Sequence, residues 1–191
     1  MLLNRKDWTQ KNAPFAIQAA KGSGIYPETL LAMAIVESQG KVNGVWYPGA
    51  GLVATKANNF FGIKKGVNWK GQTINLPTPG DAQKVSTFRV YPSFEASAKD
   101  YIKFLKVNTR YTNAGVFSAP NYQEQIIAIA RAGYAEAPNY ADIITKVADA
   151  VKKNIADILE PINKNKGLIS IFVAGTIITL YLLNKKYLQY A

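Results

Sequence analysis

The sequence predicts a mainly α (α+β) domain with one small β-hairpin lobe, followed by an apolar C-terminal helix, and three observations lead there. Apolar residues recur at helical spacing in both the early and the late part of the chain. Residues 41–92 lose that period and are rich in Gly, Asn and Pro, and Leu168 to Leu183 runs sixteen residues without a charge. With 191 residues and 48% hydrophobic content, there is material for one core of ordinary domain size plus an appendage.

In order along the chain, "MLLNRKDWTQ" holds no apolar stretch long enough for a secretory signal, so none is expected at that end. Asn12 before Pro14 suits the cap of a helix over about 13–21. "GSGIYP" separates it from a second helix, Pro27 to Ser38, which Gly40 should end. Two β-like runs, "NWKGQTINL" and "VSTFRVY", joined by "PTPGDAQK", predict one hairpin in a loop-rich lobe. Helical period resumes at Phe94, Ala98, Tyr101, Ile102 and Leu105 after Ser93 as N-cap. A further helix opens at Asn121, with Glu124 at its third position, and stops at Gly133. The next opens at Asn139 and carries Ile143, Val147, Val151, Ile155 and Ile158 on one stripe until Pro161.

The expected organisation is therefore a globular domain over 1–159, a linker over 160–167, a transmembrane helix over 168–188 and a tail over 189–191. The uncharged run rises about 24 Å, short of a roughly 30 Å hydrocarbon core, and extension through snorkelling lysines to Leu188 closes the gap. Apolar residues cover every face of it, and Tyr181, Tyr187 and Tyr190 suit an interface belt. A lipid membrane is thus an expected partner, with a buried core helix as the other reading of the same run.

Cysteine and histidine are both absent, which removes disulfides, thiolate nucleophiles, serine-histidine triads and the common zinc sets. No metal and no cofactor is expected, and catalysis must rest on carboxylates, hydroxyls, tyrosines or lysines. The net charge of +11 predicts an anionic partner. Nucleic acid is not the expected one: six basic and two acidic residues from Val151 onward give the tail +4, and the remaining +7 is spread over the domain without a clustered basic helix face.

Most acidic residues sit where charge is cheap, such as Glu124 and Asp142 in first helical turns. Glu37 is different, because helical spacing puts it with Leu30, Met33 and Ala34 on a face that should be buried. An acid there is expected to be partly desolvated with a raised pKa, which is what protonation of a glycosidic leaving oxygen requires. A cap or salt bridge near the helix end is the competing reading.

Five segments, "AIVESQGK", "NNFFGIKKG", "WKGQT", "FRVYPSFEASAKDYIKFL" and "ARAGYAEAPNYADIITKV", resemble in order the motifs of the N-acetylglucosaminidase family of peptidoglycan hydrolases, to which the flagellar rod-cap muramidase domain and many autolysins and phage lysins belong. The resemblance spans about Trp8 to Val151. It implies a lysozyme-like fold that cleaves the β-1,4 bond between N-acetylglucosamine and N-acetylmuramic acid, with peptidoglycan glycan strands as partner. It implies Glu37 as general acid and Tyr134 as an assisting group near the reaction centre. It places Ser38, Asn59, Phe61, Gly62, Lys64, Trp69 and Tyr140, which fall within its motifs, as glycan-contacting residues. By residue type alone, Phe60 and Phe61 suit a core better than a sugar platform, Tyr134 suits a lid on a helix end, and residues 139–141 suit a helix start.

One departure stands out. Where many relatives carry a second glutamate, this chain has Pro79, and the nearest carboxylate is Asp81 on a glycine-containing turn. Two mechanisms fit: Asp81 activates water across the sugar, or the substrate's own acetamido oxygen attacks C1. A wall hydrolase acts outside the cytoplasmic membrane, whereas a chain with no N-terminal signal and a C-terminal anchor leaves its main domain inside. The expectation drawn from that conflict is a lysin in the virion membrane of a membrane-containing phage, with other virion proteins as further partners. A bacterial membrane-bound autolysin, or an inactive glycan-binding structural protein, are the other settings.

Overall fold

The computed structural model describes residues 2–164, and the predicted transmembrane span over 168–188 lies outside them. Among the described residues, no helix is long and apolar enough to cross a membrane. The chain divides into two compact units, Met1–Ile155 and Ala156–Ala191. Everything below concerns the first, apart from the end of its last helix.

The first helix, α1 (Arg5–Ala20), starts eight residues earlier than the Asn12 cap predicts. Asn4 is the actual cap, accepting from the Asp7 amide at 2.9 Å, and Pro14 sits inside the helix. The expected start is corrected because a proline removes a single backbone bond and the burial of Trp8, Ala13 and Ala16 outweighs that loss. Asn12 is buried, and its amide donates to the Trp8 carbonyl.

Helix α2 (Pro27–Ser38) has the predicted bounds, with proline in its first turn. Every residue from Glu28 to Ile35 is buried, so α2 is the central rod of the core, packed by α1 and α6. Leu30, Leu31, Met33 and Ile35 are each essentially inaccessible, and such burial stabilises by roughly 1.5–3 kcal/mol per side chain. Gly40 does not act as the helix stop. It opens a short hairpin, β1 (Gly40–Val42) with β2 (Val45–Tyr47), and a Cβ there would lie 2.4 Å from the Ala50 carbonyl oxygen. The tip, Asn43-Gly44, has φ of 49° and 83°, the left-handed pair that two-residue hairpins favour.

The lobe continues through α3 (Leu52–Ala57) to the predicted hairpin, β3 (Thr73–Thr78) antiparallel to β4 (Asp81–Arg89). Pro79 and Gly80, with φ of +84° at the glycine, close it in a two-residue turn. Asn59 ties this lobe together from inside. Its amide donates to the carbonyls of Ile63 and Arg89, and its oxygen accepts from the Ile63 amide.

Helix α4 (Phe94–Val107) starts after Ser93 as predicted, with the Ser93 hydroxyl accepting from the Ala96 amide. A short α5 (Thr109–Asn113) follows, then α6 (Tyr122–Arg131), capped by Asn121 as predicted and followed by Gly133 at φ +76°. The last helix, α7 (Tyr140–Lys164), runs three residues past Pro161, where the sequence predicts an end, because a helix beyond a proline keeps its own later hydrogen bonds. Its buried stripe is Tyr140, Ile144, Val147, Ala148, Val151 and Ile155, whereas Ile143 is exposed. The stripe is thus rotated by one residue from the predicted face at its start.

Candidate active site

Glu37 stands one residue from the end of α2. Leu30, Met33 and Ala34, the face expected to be buried beside the carboxyl, are inaccessible, and so is the opposite face of the helix. The helix is enclosed on all sides up to Ile35, and Glu37 is where it emerges, exposed to solvent. Its carboxyl is nonetheless backed closely by protein. The Tyr140 hydroxyl donates to its Oε1 at 2.6 Å and also lies 3.4 Å from the Met33 sulfur. Desolvation raises the Glu37 pKa above the ordinary 4.5, and the hydrogen bond from Tyr140 pulls it partly back. Tyr140 is raised in turn by burial, then by the charge of Glu37 and by the same hydrogen bond.

A set of aromatic rings holds this pair. Tyr134 stacks beside Tyr140 with centroids 5.9 Å apart, and Tyr101 meets Tyr134 edge-on at 5.9 Å. Phe61 lies flat on Tyr101 at 4.2 Å. The Tyr134 hydroxyl donates to the Phe61 carbonyl at 3.4 Å, joining the Gly133 corner to the loop after α3. Tyr101 is fully buried, and its hydroxyl makes no hydrogen bond of good geometry among the described residues. Burial, followed by the charge of Glu37, raises its pKa well above that of an ordinary phenol.

The structure therefore brings Glu37, Tyr134, Tyr140 and Phe61 into one cluster. Phe61 is buried, so it supports the cluster from below. Ser38 is also buried: its hydroxyl donates to the Ala34 carbonyl and accepts from the Gly49 amide at 2.9 Å. That bond, with the Gly51 amide on the Ser38 carbonyl at 2.8 Å, staples the loop after the β1–β2 hairpin to the end of α2. Asn59 has its amide and its oxygen engaged inside the lobe. Gly62 adopts φ +61° with open space where a side chain would be, and Lys64 is exposed beside it.

Two predicted site residues lie elsewhere in the hydrogen-bond network. Asp81 is exposed at the hairpin tip, where its carboxylate accepts from the Gln83 amide. Among the described residues, no hydrogen bond or ion pair links it to the Glu37 cluster. Trp69 donates from Nε1 to the Gln72 carbonyl and carries the Arg89 guanidinium 4.8 Å over its ring, facing a cavity on α4.

One feature of the site and one of the adjoining ribbon escape the sequence reading. Tyr101 belongs to the apolar stripe of α4 and gives no separate signal. Trp46, 59% exposed on β2 and paired across the hairpin with Lys41, lies nine residues after Glu37 on the ribbon that Ser38 secures. The Asn43-Gly44 dipeptide between two short valine-containing runs is the signal that reveals this ribbon. Among the described residues, no group of three or more acidic residues is placed to hold a metal ion.

A single carboxyl with a raised pKa, open to solvent on one side and gripped by a phenol on the other, is equipped to donate a proton to a leaving oxygen. Comparison with known proteins agrees with such a chemistry. Residues 13–153 match the model of the family named Glucosaminidase and described as mannosyl-glycoprotein endo-beta-N-acetylglucosaminidase. Over 140 residues the chain is 34% identical to the peptidoglycan hydrolase FlgJ of Vibrio cholerae, an overlap covering 69% of this chain and 39% of that protein. It is 30% identical over 152 residues to the exo-glucosaminidase LytG of Bacillus subtilis, covering 75% of this chain and 50% of that one. The chain thus spans half or less of the length of these two relatives. The glycoside hydrolase domain from Salmonella typhimurium FlgJ superposes with a TM-score of 0.63 at 28% identity, covering 85% of this chain and 98% of that domain. A peptidoglycan hydrolase from Sphingomonas sp. A1 gives 0.58 at 26% identity, covering 76% and 90%. The mainly helical fold with a small hairpin is accordingly that of lysozyme-like glycoside hydrolases.

Proposed function

This chain belongs to the glucosaminidase family, and on that premise we propose that it hydrolyses peptidoglycan at the β-1,4 bond between N-acetylglucosamine and N-acetylmuramic acid. The observation that carries the reading is Glu37. It emerges from a buried helix with its pKa raised by desolvation and its Oε1 bonded to Tyr140 at 2.6 Å. Such a carboxyl keeps its proton at a higher pH than a surface glutamate and delivers it to the glycosidic oxygen as the bond to C1 breaks. The Tyr140 phenol then stabilises the carboxylate that remains. Tyr134, stacked against Tyr140, holds the phenol in place and forms the wall of the site.

For the second role, the displacement at C1, the exposed tip position of Asp81 supports attack by the substrate's acetamido oxygen. Purified sacculi in a zymogram test both halves. Wild-type protein is expected to clear, Glu37→Gln is expected to lose clearing, and folded Asp81→Asn is expected to retain it. Mass analysis of the released ends then fixes the bond: reducing N-acetylglucosamine supports the proposal, whereas reducing or anhydro N-acetylmuramic acid replaces it with muramidase or transglycosylase action.

The proposal extends to a membrane anchor over 168–188, supported by the charge-free run from Leu168 to Leu183 and the lysines that flank it. The favoured setting is the virion membrane of a phage that breaches the host wall. Recovery of the protein in lipid-containing particles supports that setting, and recovery only in bacterial envelopes assigns it to an autolysin.

A further inference from the structure

Helix α4 has two used faces. Phe94, Ala98, Tyr101, Ile102 and Leu105 are buried, with Tyr101 joining the aromatic set behind Glu37. At 100° per residue, Ala96, Lys99, Asp100 and Lys103 project from the other side. There they form, with Trp69 and Tyr91, one wall of an open cavity of about 590 Å³. This volume lies in the range of ligand sites, which are mostly apolar with a few placed polar groups.

The cavity walls are held rigidly. Asp100 accepts from Arg89 at 2.7 Å and from the Tyr91 hydroxyl at 2.6 Å. Arg89 in turn covers the Trp69 ring, and Trp69 meets Tyr91 edge-on at 5.6 Å. Gly71 lets the chain pass against the Trp69 ring, where a Cβ would fall 2.4 Å from it. The charges are uneven. Asp100 is neutralised by Arg89, and Lys99 pairs with Glu95 at 2.6 Å, whereas Lys103 makes no ion pair among the described residues. Exposed Lys103 is therefore the lining cation without an ion pair among the described residues, in a cavity whose remaining wall is mostly apolar and aromatic.

We propose that this cavity is a second glycan site, across α4 from Glu37, which takes a carboxylate-bearing amino sugar of a wall strand at positions where the stem peptide is absent and the carboxylate is free. The C–H face and N-acetyl methyl of the sugar pack on the apolar lining beside Trp69 and Tyr91, and its carboxylate meets Lys103. The open rim leaves the remaining hydroxyls in water. The inference rests on the hydrolase reading for its choice of glycan, and its role is to hold the enzyme on the strand while Glu37 works on another segment.

The test uses the full-length Glu37→Gln chain, nitrogen-15 labelled and kept in mild detergent. It is titrated with a tetrasaccharide of alternating N-acetylglucosamine and N-acetylmuramic acid. The indole N–H signal of Trp69, identified by its loss in Trp69→Phe, is expected to shift and saturate. Lys103→Glu and, separately, the cavity-filling Ala96→Phe are each expected to weaken that response at least fivefold, and neutral chitotetraose is expected to bind at least fivefold more weakly. An unmoved Trp69 signal, or one indifferent to both substitutions, overturns the second site. If the wild-type chain clears sacculi in that case, the hydrolase reading stands alone. If the Trp69 signal responds as expected but nothing clears, the site stands and the hydrolase reading falls.

Discussion

Replacing Tyr140 by phenylalanine removes the only hydrogen bond found on the Glu37 carboxyl among the described residues and keeps the ring that stacks on Tyr134. Hydrogen bonds to charged groups are worth roughly 1.5–3 kcal/mol, and the solvent-open side of Glu37 puts this one near the low end. The bond favours the carboxylate, so its loss raises the pKa further. At about 1.4 kcal/mol per unit, the alkaline limb of the pH profile should move upward by about one pH unit. The assay is kcat/KM on a soluble glycan fragment from pH 4 to 10. Tyr134→Phe serves as control, because that hydroxyl donates to the Phe61 carbonyl and not to the acid, so the limb should stay in place even where the rate falls. An alkaline limb of Tyr140→Phe that stays put, or moves to lower pH, refutes Glu37 as the proton donor governed by this contact.

Three further outcomes follow from the same geometry. The raised pKa of Glu37 means that the folded chain holds a proton the unfolded chain releases, so its contribution to stability falls as pH rises through the window above 4.5. Urea midpoints should therefore show Glu37→Gln gaining on the wild type between pH 4 and pH 8, and a constant difference contradicts this. Tyr101→Phe keeps the stack on Phe61 and deletes a buried hydroxyl that has no hydrogen-bond partner among the described residues, so calorimetry should show a gain of about 1 kcal/mol; a comparable loss would identify Tyr134, the adjoining phenol, as its partner. Gly40→Ala forces a methyl to 2.4 Å from the Ala50 oxygen and should cost about 1–3 kcal/mol, whereas Trp46→Ala on the same exposed ribbon should stay within about 0.5 kcal/mol. Equal costs at the two positions would show that the ribbon is not pinned at Gly40.

Features written into adjacent residues were legible in advance. The bounds of α2 follow from Pro27 and the apolar run, and the starts of α4 and α6 follow from Ser93 and Asn121, whose side chains cap the amides three residues on. Where a proline competed with the rest of a helical segment, the helix won. Pro14 suggested a late start for α1 and Pro161 an early end for α7, yet both helices run through their prolines. Periodicity also marked Glu37 as unusual, and the desolvation it implied is present, but it gave no sign that the helix is enclosed on every side. A helix buried on every side has no polar face, so spacing alone places no residue at its rim.

The sequence by itself determined the fold class, most helix starts, the main hairpin and the place of Glu37 near the end of a buried helix, because caps, turns and apolar periods act over a few residues. Tertiary structure alone decided the acid's partner. Tyr140 stands 103 residues from Glu37 and reaches it only because α7 packs beside the end of α2. It also decided that Trp69 faces a cavity on the outer side of α4, and that Asp81 sits on an exposed tip apart from the Glu37 cluster. Such contacts are fixed by how whole helices and strands pack, and no spacing within a single segment records them.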